Sequence, residues 1–193
     1  VDPRDIIPPA VRGTQYFING PKLHEYLSEM RDEALQEIEI FSVGECPGAE
    51  LEDVQKLSGH ERGELASVMA MDLMEVDHGP GGKWDITPWS PAEFANRLEK
   101  WQRGLENIGE PAHFFGNHDQ PRPVSRFGDD SAFRYESATM LAALLLSLSG
   151  TIFIYYGEEI GMPNAAYPEI SFYRDVDTLN FYNFEIAAGR THE

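Results

Sequence analysis

Acidic and amide side chains stand at or just past the ends of four short apolar runs. Glu45 follows Val43-Gly44, Asp72 sits in the run Val68 to Leu73, Asn117-His118-Asp119 follow His113 to Phe115, and Glu158-Glu159 follow Ile152 to Tyr155. A parallel sheet delivers the loop after every strand to the same face, and ligands are met there. Two carboxyl groups facing one cavity suit general acid/base work on a glycosidic bond, where one carries a proton at neutral pH while the other stays ionised. Glu45 and Asp119 lie 74 residues apart, about the length of two βα units. They would end two alternate strands, and in a barrel alternate strands send inward side chains into common layers. His118 would then donate a hydrogen bond to a hydroxyl. Strand-end acids also cap helices, pair with an arginine such as Arg122 or Arg126, or sit in solvent, and spacing by itself leaves these alternatives open.

The composition narrows what such a site would meet. The chain has 193 residues, 33 acidic against 15 basic, and a net charge of −18. A surface this acidic repels phosphodiester backbones and anionic headgroups, so neither nucleic acid nor a membrane is an expected partner. A neutral oligosaccharide feels no such repulsion. The six histidines show neither an HExxH pair nor another paired ligand spacing, so no metal is expected. No GxGxxG or GxxxxGK[ST] spacing follows any strand, which leaves nucleotide cofactors without support. Cys46 is the lone cysteine and permits no intrachain disulfide. The longest apolar stretch, around Ala138 to Leu148, is well short of the ~20 residues a membrane span needs. The start, Val1-Asp2-Pro3-Arg4-Asp5, has neither an initiator methionine nor the basic-then-apolar order of a signal peptide, and the sequence reads as a cytoplasmic piece of something longer.

The elements that must position these residues alternate in period. Residues 1–19 hold Pro3, Pro8, Pro9 and Gly13 without a sustained pattern and read as an irregular arm. Leu23, Tyr26, Leu27, Met30 and Ala34 make a helical stripe. Ile38, Ile40, Phe41 and Val43 form a strand-like run that stops at Gly44-Glu45-Cys46-Pro47-Gly48. A short helix is expected at Leu51 to Leu57, a strand near Val68 to Leu73, and a turn at His78-Gly79-Pro80-Gly81-Gly82. Ser90-Pro91-Ala92-Glu93 carries the pattern of a capping box, and Phe94, Leu98, Trp101, Leu105 and Ile108 mark the helical face that follows, closed by Gly109. A strand at His113 to Phe115, a helix from Ser131 to Ser149, a strand at Ile152 to Tyr155 and a helix over Ser171 to Ala187 complete the reading. Four βα units give an α/β fold with a parallel sheet, which is either half of an eight-fold barrel or a small open doubly wound sheet. Trp84, Trp89 and Trp101 are candidates for a sugar-stacking platform, with Trp101 better placed in the core.

Three stretches carry a family resemblance: Val43-Gly44-Glu45-Cys46-Pro47-Gly48, Asn117-His118-Asp119-Gln120-Pro121-Arg122 and Tyr156-Gly157-Glu158-Glu159-Ile160-Gly161-Met162. With Phe17-Ile18-Asn19-Gly20-Pro21, the segment Asp77 to Asp85 and Val124-Ser125-Arg126-Phe127-Gly128, the chain resembles glycoside hydrolase family thirteen, in its oligo-1,6-glucosidase and α-glucosidase branch, from about Gln15 to Tyr182. The resemblance implies a (β/α)8 TIM barrel of which this chain supplies the second half, strands five to eight. Residues 20–165 would be that half barrel, preceded by the arm over 1–19 and followed by a helical extension over 166–193. It further implies that Glu45 is the general acid/base, that Asp119 stabilises the transition state, and that His118, Asn117 and Arg122 meet the substrate.

The resemblance also marks what differs. The family's nucleophilic aspartate lies in a Gly-Phe-Arg-x-Asp motif on the fourth strand, no such motif occurs here, and by the resemblance it would precede Val1. Without it no glycosyl-enzyme intermediate forms, so the chain by itself is expected to be silent. Met69-Ala70-Met71 stands where relatives often have Phe-Gln-Phe, and Ile152 and Tyr156 replace the usual Pro and Gln. Three functional expectations follow: a segment of an α-glucosidase hydrolysing short α-linked gluco-oligosaccharides with retention, a silent relative acting as a binding or scaffold module, or a transglycosidase such as a trehalose synthase. A half barrel also leaves two strand edges exposed, which predicts self-association.

Overall fold

The computed structural model describes residues 18–191. The arm expected over 1–19 therefore falls, for its first 17 positions, outside the described residues. Residues 18–163 form one compact unit, and the segment from Asn164 onward belongs to a second.

In the first unit, helix α1 (Leu23–Met30) runs on into a π-helical turn, Arg31–Leu35. Strand β1 is only Val43–Gly44. Helix α2 (Leu51–Ser58) opens with a capping box in which the Glu50 N–H donates to Asp53 Oδ2 at 3.1 Å. Strand β2 (Ser67–Met69) is followed by a 3-10 turn, Met71–Glu75. Next come an antiparallel hairpin of β3 (His78–Gly79) and β4 (Gly82–Ile86), then helix α3 (Pro91–Gly104) and strand β5 (Pro111–His113). A short helix α4 (Pro123–Phe127), helix α5 (Arg134–Leu146), strand β6 (Thr151–Ile152) and a 3-10 turn at Glu158–Ile160 complete the unit.

The sheet order is β1-β2-β5-β6, and every pair is parallel. Val43 faces Ser67, Val68 faces Pro111, and His113 faces Ile152. The expected α/β alternation with a parallel sheet is present, but each strand is shorter than the apolar run that announced it. Ile38, Ile40 and Phe41 lie before β1 and are exposed; Phe114 and Phe115 lie beyond β5 and are buried. These residues have strand composition without a neighbouring strand to complete a ladder, and composition reports burial and β-branching rather than pairing. The stretch expected to be only a turn at residues 78–82 is the bend of the β3–β4 hairpin.

Two apolar clusters hold the layers together. Phe94 and Leu98 of α3, Phe115 beyond β5, Phe127 of α4, and Leu141 and Leu145 of α5 pack as one. Val54 and Leu57 of α2, Val68, and Trp101 and Leu105 at the end of α3 form the other. The Ser90 hydroxyl caps α3 by accepting the Glu93 N–H at 3.1 Å with Pro91 in the first turn, as expected, while the Glu93 carboxylate accepts from Arg97 Nε at 2.9 Å. Trp101 is buried, and Trp89 packs on Phe94 and Phe127 with ring centroids 5.4 and 5.6 Å away. These two rings serve the core; Trp84 on β4 is 40% exposed.

In the second unit, Asp175 caps helix α6 (Val176–Ala187) by accepting the Thr178 N–H at 2.6 Å. This fixes the helix start five residues after the predicted one. Ahead of it, Tyr167 stacks on Phe172 at 5.9 Å with the rings nearly parallel.

Candidate active site

All four strands run in one direction, so the residues after β1, β2, β5 and β6 emerge at one end of the sheet. Glu45 leaves β1 and Asp119 follows β5, with β2 between their strands. At the usual spacing of neighbouring strands this puts the two exits roughly 10 Å apart. Glu45 is exposed. A Cβ on the preceding Gly44 would come within 2.7 Å of Leu65 Cδ1, so the chain passes close to that side chain as it leaves β1.

The loop after β5 is tightly specified. Phe114, Phe115 and Gly116 are buried, after which Asn117 folds its side chain back to accept the Asp119 N–H at Oδ1, 2.8 Å away. This local turn is one that asparagine makes readily. It turns His118 and Asp119 outward, with side chains 71% and 65% exposed and His118 Nε2 3.4 Å from Asp119 Oδ2. Arg122 donates from Nη1 to the Tyr156 carbonyl at 2.6 Å, and its guanidinium lies over the Tyr155 and Tyr156 rings at 4.9 and 5.2 Å. The loops after β5 and β6 are thereby tied together.

A second tie was not legible from spacing. Arg126 forms a fork on Asp77, Nε to Oδ2 at 2.8 Å and Nη2 to Oδ1 at 2.5 Å, with both side chains almost wholly buried. The same guanidinium donates to the Met74 carbonyl at 2.6 Å and to Gln120 Oε1 at 2.7 Å. Burial pushes the Asp77 carboxyl up, but the hydrogen bonds and charge of Arg126 outweigh it, and the group lies below the usual carboxylate range. Arg126 so fixes the loop carrying Asp119 to the segment after β2. Both partners lie in stretches that carry the family resemblance; what the sequence withheld was that they meet.

Asp72, the candidate acid after β2, turns away from the sheet end toward α3. It accepts the Trp101 indole N–H and pairs with Lys100 at 3.1 Å, while its carbonyl accepts from Arg97. It holds a helix in place. Glu159 is engaged locally, accepting the Gly157 N–H at 2.6 Å. Glu158 differs: burial pushes its carboxyl up to about 7, and Oε1 is buried with no hydrogen-bond partner among the described residues. The Cys46 thiol beside Glu45 is raised by burial, the reverse of what a thiolate nucleophile needs.

Residues 3–190 match the alpha-amylase catalytic domain. The oligo-1,6-glucosidase of Halalkalibacterium halodurans is 48% identical over 185 residues, covering 96% of this chain and 33% of that enzyme. The crystal structure of Bacillus licheniformis trehalose-6-phosphate hydrolase superposes with a TM-score of 0.87 at 37% identity, covering 93% of this chain and 32% of that one. Isomaltulose synthase from Erwinia rhapontici gives a TM-score of 0.82 at 34% identity over 90% of this chain and 31% of that one. The chain thus spans about a third of the length of the curated relatives it matches.

Proposed function

The chain belongs to the alpha-amylase catalytic-domain family, and on that premise we propose that it is the second half of a (β/α)8 barrel in a retaining α-glucosidase acting on short gluco-oligosaccharides. The observation that carries the reading is the parallel order β1-β2-β5-β6, which sends Glu45 and the Asn117–Asp119 turn out of the same end of one sheet. Glu45 is the general acid/base: it protonates the leaving glycosidic oxygen and then takes a proton from water. Asp119, held by the Asn117 turn, places negative charge beside the sugar ring as the oxocarbenium-like transition state forms. His118 and Asn117 donate to substrate hydroxyls, and Arg122 orients the loop as well as the ligand.

Unfinished sheet edges support the half-barrel reading. Ile38, Ile40 and Phe41 next to β1, and Ile154 and Tyr156 next to β6, are each at least half exposed. A sheet that ended naturally at these strands would be blunted with charge or covered. The missing strands would supply both the apolar cover and the nucleophile, so the chain alone is catalytically silent and prone to associate with itself.

The test is a chimaera in which this chain replaces the matching third of the H. halodurans oligo-1,6-glucosidase. The expected result is hydrolysis of isomaltose and of aryl α-glucosides, lost on Glu45→Gln. A folded chimaera without turnover, or one indifferent to Glu45→Gln, refutes the reading; formation of a new disaccharide in place of free glucose would favour a transglycosidase.

A further inference from the structure

Glu158 is a half-buried ionisable group with an enclosed Oε1 that the proposed chemistry leaves unused. A Cβ built on Gly116 would stand 2.7 Å from Glu158 Oε1 and 2.9 Å from Pro123 Cδ and Cγ. The carboxyl therefore lies directly against the backbone between β5 and Asn117, with α4 on the other side. Around it is an apolar cavity of roughly 200 Å³ lined by Phe115, Val124, Leu141, Leu145, Ile154 and Met162 among others.

We propose that Glu158 is a positioning residue: its carboxyl, wedged against Gly116, sets the path of the backbone that presents Asn117, His118 and Asp119. The role rests on the reading of Asp119 given above only for its catalytic consequence; the effect on the loop stands without it.

The charged groups facing Glu158 are Arg122, which favours its ionised form, and Glu159, which opposes it. From α4 and α5 the cavity is faced by Pro123, Val124, Ala138, Leu141, Ala142, Leu145 and Leu146, which carry no titratable group. Burial outweighs the Tyr155 backbone hydrogen bond and the pull of Arg122 and lifts the carboxyl to about 7, so below that pH the wedge sits against Gly116 as an uncharged acid. Once ionised, the carboxylate has the Tyr155 backbone hydrogen bond, but its Oε1 stays buried with no donor on it, next to a guanidinium already engaged by the Tyr156 carbonyl. An unsolvated charge is costly enough to break existing contacts; moving toward Arg122 would draw the carboxylate off Gly116 and loosen both loops.

The test is hydrogen–deuterium exchange of the peptides covering 111–127 in the full chain, corrected for intrinsic rate, at about pH 6 and about pH 8, on either side of the Glu158 transition. Wild type should exchange severalfold faster at the higher pH. Glu158→Gln, which keeps the shape and cannot ionise, should abolish that rise, while Glu158→Ala should show fast exchange at both values. Equal exchange at the two pH values in wild type, or a Glu158→Gln variant that keeps the rise, overturns the proposal. Glu158→Ala could fail to fold, and the comparison of wild type with Glu158→Gln still decides. In the chimaera, an intact loop response without glycoside turnover would refute the proposed function and leave this inference standing.

Discussion

At the scale of single residues, the buried fork between Arg126 and Asp77 matters most for the geometry of the site. Removing one member of a buried ion pair strands the other charge, at a cost of about 3–5 kcal/mol. Arg126→Met should lower the denaturant midpoint sharply, and Arg126→Met combined with Asp77→Leu should recover much of the loss. A double variant as unstable as the single one would mean that Arg126 acts mainly through Gln120 and the Met74 carbonyl. His113 provides a pH-dependent test. It is buried in β5 and accepts from Gln102 Nε2 at 2.7 Å, and burial holds its pKa below the ordinary 6.5. An imidazolium has no lone pair with which to accept. Because the folded value is the depressed one, the contribution is full above the unfolded value of 6.5 and drains away as pH falls through the lower folded value. Melting temperature should thus drop more steeply on the acid side in wild type than in His113→Gln, as thermal melts across that range would record.

Among the elements, the starts of α2 and α3 were legible, those of α5 and α6 lie three and five residues after the expected positions, and strand ends were not legible. Ser90-Pro91 announced α3 because a hydroxyl that accepts a free N–H and a proline that needs none are both local chemistry. Ser90→Ala should cost about 1 kcal/mol, readable as a shift of the denaturant midpoint without a change in slope. The strands of the parallel sheet are two or three paired residues each, and pairing depends on partners far away in sequence, so the apolar runs gave their existence and order but not their limits. Asp72 shows the same limit at the site: its position at the end of a strand-like run was visible, whereas its turn toward Trp101 depends on α3 packing back across the sheet. The Asn117 turn is local chemistry, yet the sequence reading gave Asn117 only a contact with substrate; the Arg126 clamp and the Glu158 wedge join loops brought together by the fold and have no local signal.

For the whole molecule, the parallel sheet with apolar residues exposed beyond both outer strands predicts behaviour in solution. The isolated chain should elute as dimers or larger species in size-exclusion chromatography, and a cooperatively melting monomer would contradict the half-barrel reading. Its charge of −18 slows such association by mutual repulsion at low salt, so the apparent size should grow as salt screens it. The central claim, that Glu45 is the acid/base of a retaining site completed by the rest of the barrel, is tested most directly by azide rescue of Glu45→Ala in the chimaera. With a dinitrophenyl α-glucoside the leaving group needs no proton, so the glycosyl-enzyme forms, but water without a general base cannot release it efficiently and turnover falls by about 10²–10⁴-fold. Azide, which needs no base, should restore turnover and yield α-glucosyl azide. Undiminished turnover without azide, or no rescue with it, would contradict the assignment.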